Sequence, residues 1–149
     1  MQFAGVQEIS ASRAEVWRAL NDPATIRQCI PGCERYEEVE PAKFQAVVVG
    51  SMGPVWASFA ATVTVSDRVL DEGYRIDAKG SGVMAGLGNL AASVGLVDSE
   101  WGTRLSYSAE AQIGDSLSHL GSHLIQAAAT RFAQAFFARL NALLVSSAE

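Results

Sequence analysis

The chain has 149 residues, 49% of them apolar and 18% charged, with eleven Lys plus Arg against sixteen Asp plus Glu for a net charge of -5. That length suits one domain able to bury its own core, and the apolar share excludes intrinsic disorder. The negative balance offers no sequence-wide attraction for nucleic acid or anionic lipid, while Cys29 and Cys33 supply neither a disulfide framework nor a four-ligand zinc set and fit a reducing cytoplasm.

Met1-Gln2-Phe3-Ala4 has no basic region before an apolar stretch, so no signal peptide is expected. Two charge-free runs, Phe44–Ser66 and Gly80–Val97, are long enough to raise the question of a membrane span. The first alternates residue by residue and is broken by Gly53-Pro54; the second is rich in glycine and carries Asn89. Both read as strands, and no membrane span is expected.

In chain order, Gln2–Ser10 reads as a strand with Phe3, Gly5, Gln7 and Ile9 on one face. Ser12 followed by Glu15 makes a capping box for a helix carrying Val16, Trp17, Ala19 and Leu20. Asp22-Pro23 stops that helix and starts a short second one, which ends at Ile30-Pro31-Gly32. From Cys33 the period changes to two. Phe44, Ala46, Val48, Gly50 and Met52 share a face, as do Val55, Ala57, Phe59, Ala61, Val63 and Val65; Tyr74, Ile76, Ala78 and Gly80; Leu90, Ala92, Val94 and Leu96; and Leu105, Tyr107, Ala109, Ala111 and Ile113. One-sided burial implies an antiparallel sheet. Turn signals at Gly53-Pro54, Asp71-Glu72-Gly73 and Ser99–Thr103 make it a meander of hairpins. The last segment, Asp115 to about Val145, reads as one long helix with Leu117, Leu120, Gly121, Leu124, Ala128, Phe132, Ala135 and Phe136 on its apolar stripe. The class is α+β, a curved antiparallel sheet wrapped around one long C-terminal helix.

Several stretches together resemble a known family: Val16-Trp17-Arg18-Ala19-Leu20-Asn21-Asp22-Pro23, Cys29-Ile30-Pro31-Gly32-Cys33-Glu34, Gly53-Pro54-Val55, Gly102-Thr103-Arg104-Leu105-Ser106-Tyr107 and Leu120-Gly121-Ser122. Over nearly its whole length the chain resembles the CoxG family, the G subunits of carbon monoxide dehydrogenase. That family lies within the helix-grip superfamily, which includes START domains, the birch-pollen allergen and polyketide cyclases. The Ile-Pro-Gly-Cys-Glu block is the most specific part. The resemblance implies a seven-stranded sheet gripping the C-terminal helix, a cavity for an apolar ligand between them, and an accessory role beside a molybdenum hydroxylase, with quinone as the carried molecule. It also implies membrane recruitment through an extension beyond the long helix; the sequence ends at Glu149, so no such anchoring is expected from it.

His119 and His123 stand four apart on the long helix but far from its apolar stripe, with no acidic residue between them, and read as solvent-facing rather than as metal ligands. Cys29 and Cys33 bracket a Pro-Gly turn and read as structural thiols. Glu34, Glu37, Glu38 and Glu40 read as a solvated face. Gly86–Ala91 matches a loose dinucleotide fingerprint but runs on as a strand, without the helix N-terminus a pyrophosphate needs. No serine nucleophile sits in an elbow motif. No catalytic residue, metal or cofactor is therefore expected.

The informative feature is the inner surface. Gly5, Ala46, Gly50, Ala57, Ala61, Ala78, Gly80, Gly82, Ala92, Ala109 and Ala111, with Gly121 on the helix, occupy positions where a packed core would use Leu, Ile or Phe. Such residues leave volume for a ligand, or for aromatic side chains to fill. The expected ligand-lining set is Gln7, Phe59, Tyr74, Met84, Leu87, Tyr107, Ala109, Gly121, Leu124 and Phe132, with Gln7, Tyr74 and Tyr107 as its polar members. Gly82–Gly88 is expected to act as a mobile gate with Met84 and Leu87 on its underside. Trp56, Phe137 and Leu144 fall on outward faces and suggest an interaction surface for a homodimer or a hydroxylase. The function expected is a non-catalytic cytoplasmic carrier of an apolar molecule such as a quinone. A cyclase- or hydrolase-like enzyme using the same cavity, and an assembly factor with a filled core, are the alternatives.

Overall fold

The structure, a computed structural model, describes residues 1–52, 55–80, 88–114 and 121–147. Strand β1 (Gln2–Ile9) is followed by helices α1 (Arg13–Leu20) and α2 (Pro23–Cys29). The meander β2 (Cys33–Glu40), β3 (Lys43–Met52), β4 (Val55–Val69), β5 (Gly73–Gly80), β6 (Gly88–Ser99) and β7 (Gly102–Ile113) comes next, and the long helix α3 (Ser122–Ser147) closes the described chain. The strands form one antiparallel sheet in the order β1-β7-β6-β5-β4-β3-β2. The expected gate up to Leu87, the start of the long helix before Gly121, and His119 lie outside the described residues, while the gate's last residue, Gly88, opens β6.

Local chemistry sets the starts of the short helices. The Ser12 hydroxyl accepts from the Glu15 amide at 3.2 Å and donates to the Glu15 carboxylate at 3.0 Å, so an unpaired first-turn N–H is satisfied. The Asp22 side chain caps Ala24 in the same way, with Pro23 opening α2. At the exit of α2, Gly32 takes a φ of 75°, and a Cβ there would run into the Val49 carbonyl. Only glycine fits that crossing, and the Val49 amide then bonds the Gly32 carbonyl at 2.9 Å.

The core sits at one end of the sheet. Val16, Trp17, Leu20 and Cys29 from the short helices pack with Ile9, Tyr74, Leu96 and Leu105 from the strands and Leu140 and Leu144 from α3. The β4–β5 and β6–β7 turns border this end. Arg13 on α1 joins them through Asp98 at 2.8 Å and the Asp71 carbonyl at 3.2 Å. The buried Thr103 hydroxyl donates to the Ala11 carbonyl at 2.7 Å, and Asn141 on α3 accepts from the Ser10 amide at 3.0 Å.

The face of α3 corrects the sequence reading. Ile125, Leu140 and Leu144 are its buried positions, with Phe136, Phe137 and Leu143 packed on the core. The inward stripe is thus displaced by one residue, about 100° of rotation, from the stripe through Leu124, Phe132 and Ala135. Phe132, expected inside, is 46% exposed, while Leu144, expected outside, is buried. Phe137 also turns inward and stacks on Tyr107 with ring centroids 5.7 Å apart. Helix α3 is apolar on most of its circumference, so pattern alone does not select its buried side.

Candidate functional site: the inner face of the sheet

Cross-strand register builds the surface beneath α3. One row runs Phe3, Ala109, Ala92, Ile76, Val65, and the next runs Ala111, Leu90, Ala78, Val63, Phe44. A third brings Gly80, Ala61 and Ala46 to Tyr36. All of these point to one side because each strand alternates. Ala46, Ala111 and Phe44 are buried, but Phe59, Ala61, Val63, Ala78, Leu90, Ala92 and Ala109 are only half-buried. Away from α1 and α2 the inner face is therefore lined with apolar groups, many of them alanine, that are left half-buried.

Within this surface the expected ligand residues take distinct places. Gln7 is inward on β1 opposite Leu105, Phe59 inward on β4 opposite Val48, and Ala109 inward between Phe3 and Ala92. Tyr107 is inward too, and its ring lies across Gly5, where an added Cβ would sit 2.5 Å from the phenol oxygen. Gly5 accordingly accommodates a ring and leaves no ligand volume, whereas a Cβ at Gly50 would meet open space. Tyr74 belongs to the closed end: it is buried and packs edge-on against Trp17 at 5.8 Å. Leu124 is half-buried near the start of α3. Gly121 is exposed just before the helix with a φ of 85°, a turn position and not part of a helical stripe. Met84 and Leu87 lie outside the described residues, and so does the side chain of Trp56, whose backbone pairs with Ser51 in β3. With Phe137 and Leu144 turned inward, the expected outward surface loses two of its three residues. Trp101, which the pattern did not single out, is 84% exposed at the β6–β7 turn.

The inner positions named above carry no histidine and no charge; their polar members are Gln7, Tyr36, Tyr74 and Tyr107. Burial pushes the Tyr36 phenol up to about 12 and raises that of Tyr74 as well. Cys29 and Cys33 are free thiols, both with ionisation pushed up by burial, which suits structural roles. His123 and the acidic residues of β2 are exposed, as expected. Among the described residues no three His, Cys, Asp or Glu side chains gather as a metal site requires.

An open seven-stranded antiparallel sheet, two short helices after the first strand and a long C-terminal helix over the inner face define a helix-grip protein. The family model for CoxG, the G subunit of carbon monoxide dehydrogenase, matches residues 5–145, and the chain belongs to that family. Among solved structures it is similar to a conserved protein from Geobacillus kaustophilus, with a TM-score of 0.90 and 24% identity over 99% of this chain and 97% of the other. It is also similar to a protein from Chromobacterium violaceum, with a TM-score of 0.74 and 17% identity over 96% of each chain. Ara h 8.0201 gives a TM-score of 0.73 and 15% identity over 98% of each. These likenesses show the fold. No curated protein matches the chain. No helix among the described residues is long and apolar enough to cross a membrane.

Proposed function

We propose that the protein is a non-catalytic carrier that binds an apolar small molecule, a quinone, on the inner face of the sheet beneath α3. It serves a molybdenum hydroxylase of the carbon monoxide dehydrogenase type and works in the cytoplasm. The observation that carries this reading is the half-buried stretch of Ala61, Ala78, Leu90, Ala92 and Ala109. Apolar surface left unsealed under a helix is stabilised when an apolar ligand covers it. Family membership supports the choice of partner. The inner positions named above carry no histidine, carboxylate, amine or thiol, the groups that most often serve general acid–base and nucleophilic chemistry, and this supports binding over catalysis. Gln7 and Tyr107 are the polar groups suited to a quinone carbonyl.

The test is a titration with a water-soluble menaquinone analogue followed by tryptophan fluorescence, together with native mass spectrometry and solvent extraction of the purified protein. Saturable binding below about 1 mM, near 4 kcal/mol of binding energy, is expected. Absence of saturation at that concentration, with no extractable apolar molecule, contradicts the proposal.

A further inference from the structure

A second recess lies at the closed end, where the α1–α2 junction meets β2, β3 and β4. Leu20, Pro23, Ile26, Phe44 and Val65 form its apolar walls, and Asn21, Tyr36 and Arg68 are its polar groups. It encloses about 10 Å³, room for one water molecule, and opens to solvent.

Arg68 reaches this recess through a break in the strand. Ser66 pairs with Arg75 and Val69 with Gly73, so Asp67 and Arg68 together oppose Tyr74. That is a β-bulge, and Asp67 has the left-handed φ of 53°. Strict alternation from Val65, which faces inward, would send Arg68 outward; the extra residue advances the count by one and turns Arg68 to the inner side. Bulges re-aim side chains in this way, and a left-handed aspartate is a costlier conformation than an ordinary strand residue adopts.

The groups gathered there lack partners. Among the described residues no carboxylate pairs with Arg68, and the Tyr36 hydroxyl has no hydrogen-bond partner. Tyr36 feels the charge of Arg68. Asn21 is already committed, donating its amide N–H to the Trp17 carbonyl at 2.9 Å.

We propose that this recess binds a carboxylate at its mouth, with the Arg68 guanidinium pairing its charge and the Tyr36 hydroxyl donating to one of its oxygens. One guanidinium balances one monoanion. A phosphate dianion would be left under-neutralised among the apolar walls. The enclosed space holds one water-sized group, so one carboxylate oxygen enters while the other stays at the open mouth beside Arg68, and the walls of Pro23 and Ile26 favour a short alkyl chain over a bare polar one. The Tyr36 phenol stays protonated at neutral pH and remains a donor. The recess borders the inner face at Tyr36, Phe44 and Val65 but does not depend on the carrier reading.

The experiment is an amide NMR titration of the full chain with sodium butyrate, against butyramide, sodium phosphate and sodium chloride at equal ionic strength. Butyrate should produce saturable shifts at Asn21, Tyr36 and Arg68, and butyramide should not. Arg68→Gln should weaken butyrate binding at least tenfold, with menaquinone-analogue binding unchanged, and Tyr36→Phe should weaken butyrate binding severalfold. Equal shifts from butyramide, tighter binding of phosphate than of butyrate, or undiminished butyrate affinity in Arg68→Gln overturns the proposal. If Arg68→Gln fails to fold, Tyr36→Phe, which removes one hydroxyl and keeps the ring, decides it: unchanged affinity again overturns it.

Discussion

The two ends of the sheet are built from the same strands and differ in what those strands carry. At the closed end β5, β6 and β7 supply Tyr74, Leu96 and Leu105, which meet Trp17, Leu140 and Leu144 in a packed core. A few residues along, the same strands supply Ala78, Ala92 and Ala109, and the surface is half-buried. Large side chains concentrate packing at one end and leave the other end half-buried. A protein that needed only stability would have no reason to place small residues along half of its inner face, because filling the volume would contribute apolar contacts.

This division can be challenged from either side. The largest effect is expected at the closed end. Leu140 is fully buried, and Leu140→Ala should cost about 2–5 kcal/mol in denaturant unfolding, enough to remove much of the margin of a typical domain. Gly5→Ala comes next. Its methyl group would collide with the Tyr107 ring, and displacing that ring from Phe137 should cost about 1–3 kcal/mol. It should also alter ligand affinity, since Tyr107 borders both regions. Ser12→Ala removes the α1 cap and should cost about 1 kcal/mol without changing ligand binding, which separates helix stability from the site.

A smaller effect is expected from pH. The Tyr36 phenol is raised in the folded state from its ordinary value near 10 to about 12. Above about pH 10 the unfolded chain has lost a proton that the folded chain keeps, so this contribution is full below pH 10 and is lost as pH rises toward 12. The denaturant midpoint should fall between pH 9 and pH 11, and the fall should be shallower in Tyr36→Phe. An identical slope in the variant would show that Tyr36 is not held in the apolar surroundings described.

Much of the architecture could be read from the residues. Alternation identified the strands and their inward faces, Phe3 to Ile9 in β1 and Leu105 to Ile113 in β7 among them, because a strand's period of two is rigid over its length. Ser12 and Asp22 marked helix starts by a mechanism confined to a few atoms. The face of α3 was not legible, for a physical reason. Leu124, Ala128 and Phe132 make as good a stripe as Ile125, Ala129 and Ala133; Phe136-Phe137 and Leu143-Leu144 put apolar pairs on both. Contacts with α1, α2 and β1 choose between them, and those are tertiary. The turning of Arg68 was hidden as well, since a bulge breaks the period of two. Its local signal was slight: an aspartate, which tolerates left-handed backbone, beside the arginine near the end of a strand. Gly5 misled in the other direction, because a missing side chain is compatible with a ligand or with a neighbour's ring.

Whether the inner face is open to a ligand is tested most directly by a paired measurement on Ala109→Trp. Ala109 is half-buried, inward-facing and bordered by Phe3 and Ala92, so an indole there should occupy the open surface. The variant should keep its unfolding free energy within about 1 kcal/mol of the parent, small beside a core truncation, while affinity for the menaquinone analogue falls at least tenfold. Unchanged affinity in a folded variant would place the ligand elsewhere. A loss of stability matching that of Leu140→Ala would show that the surface is already filled and that no open half exists.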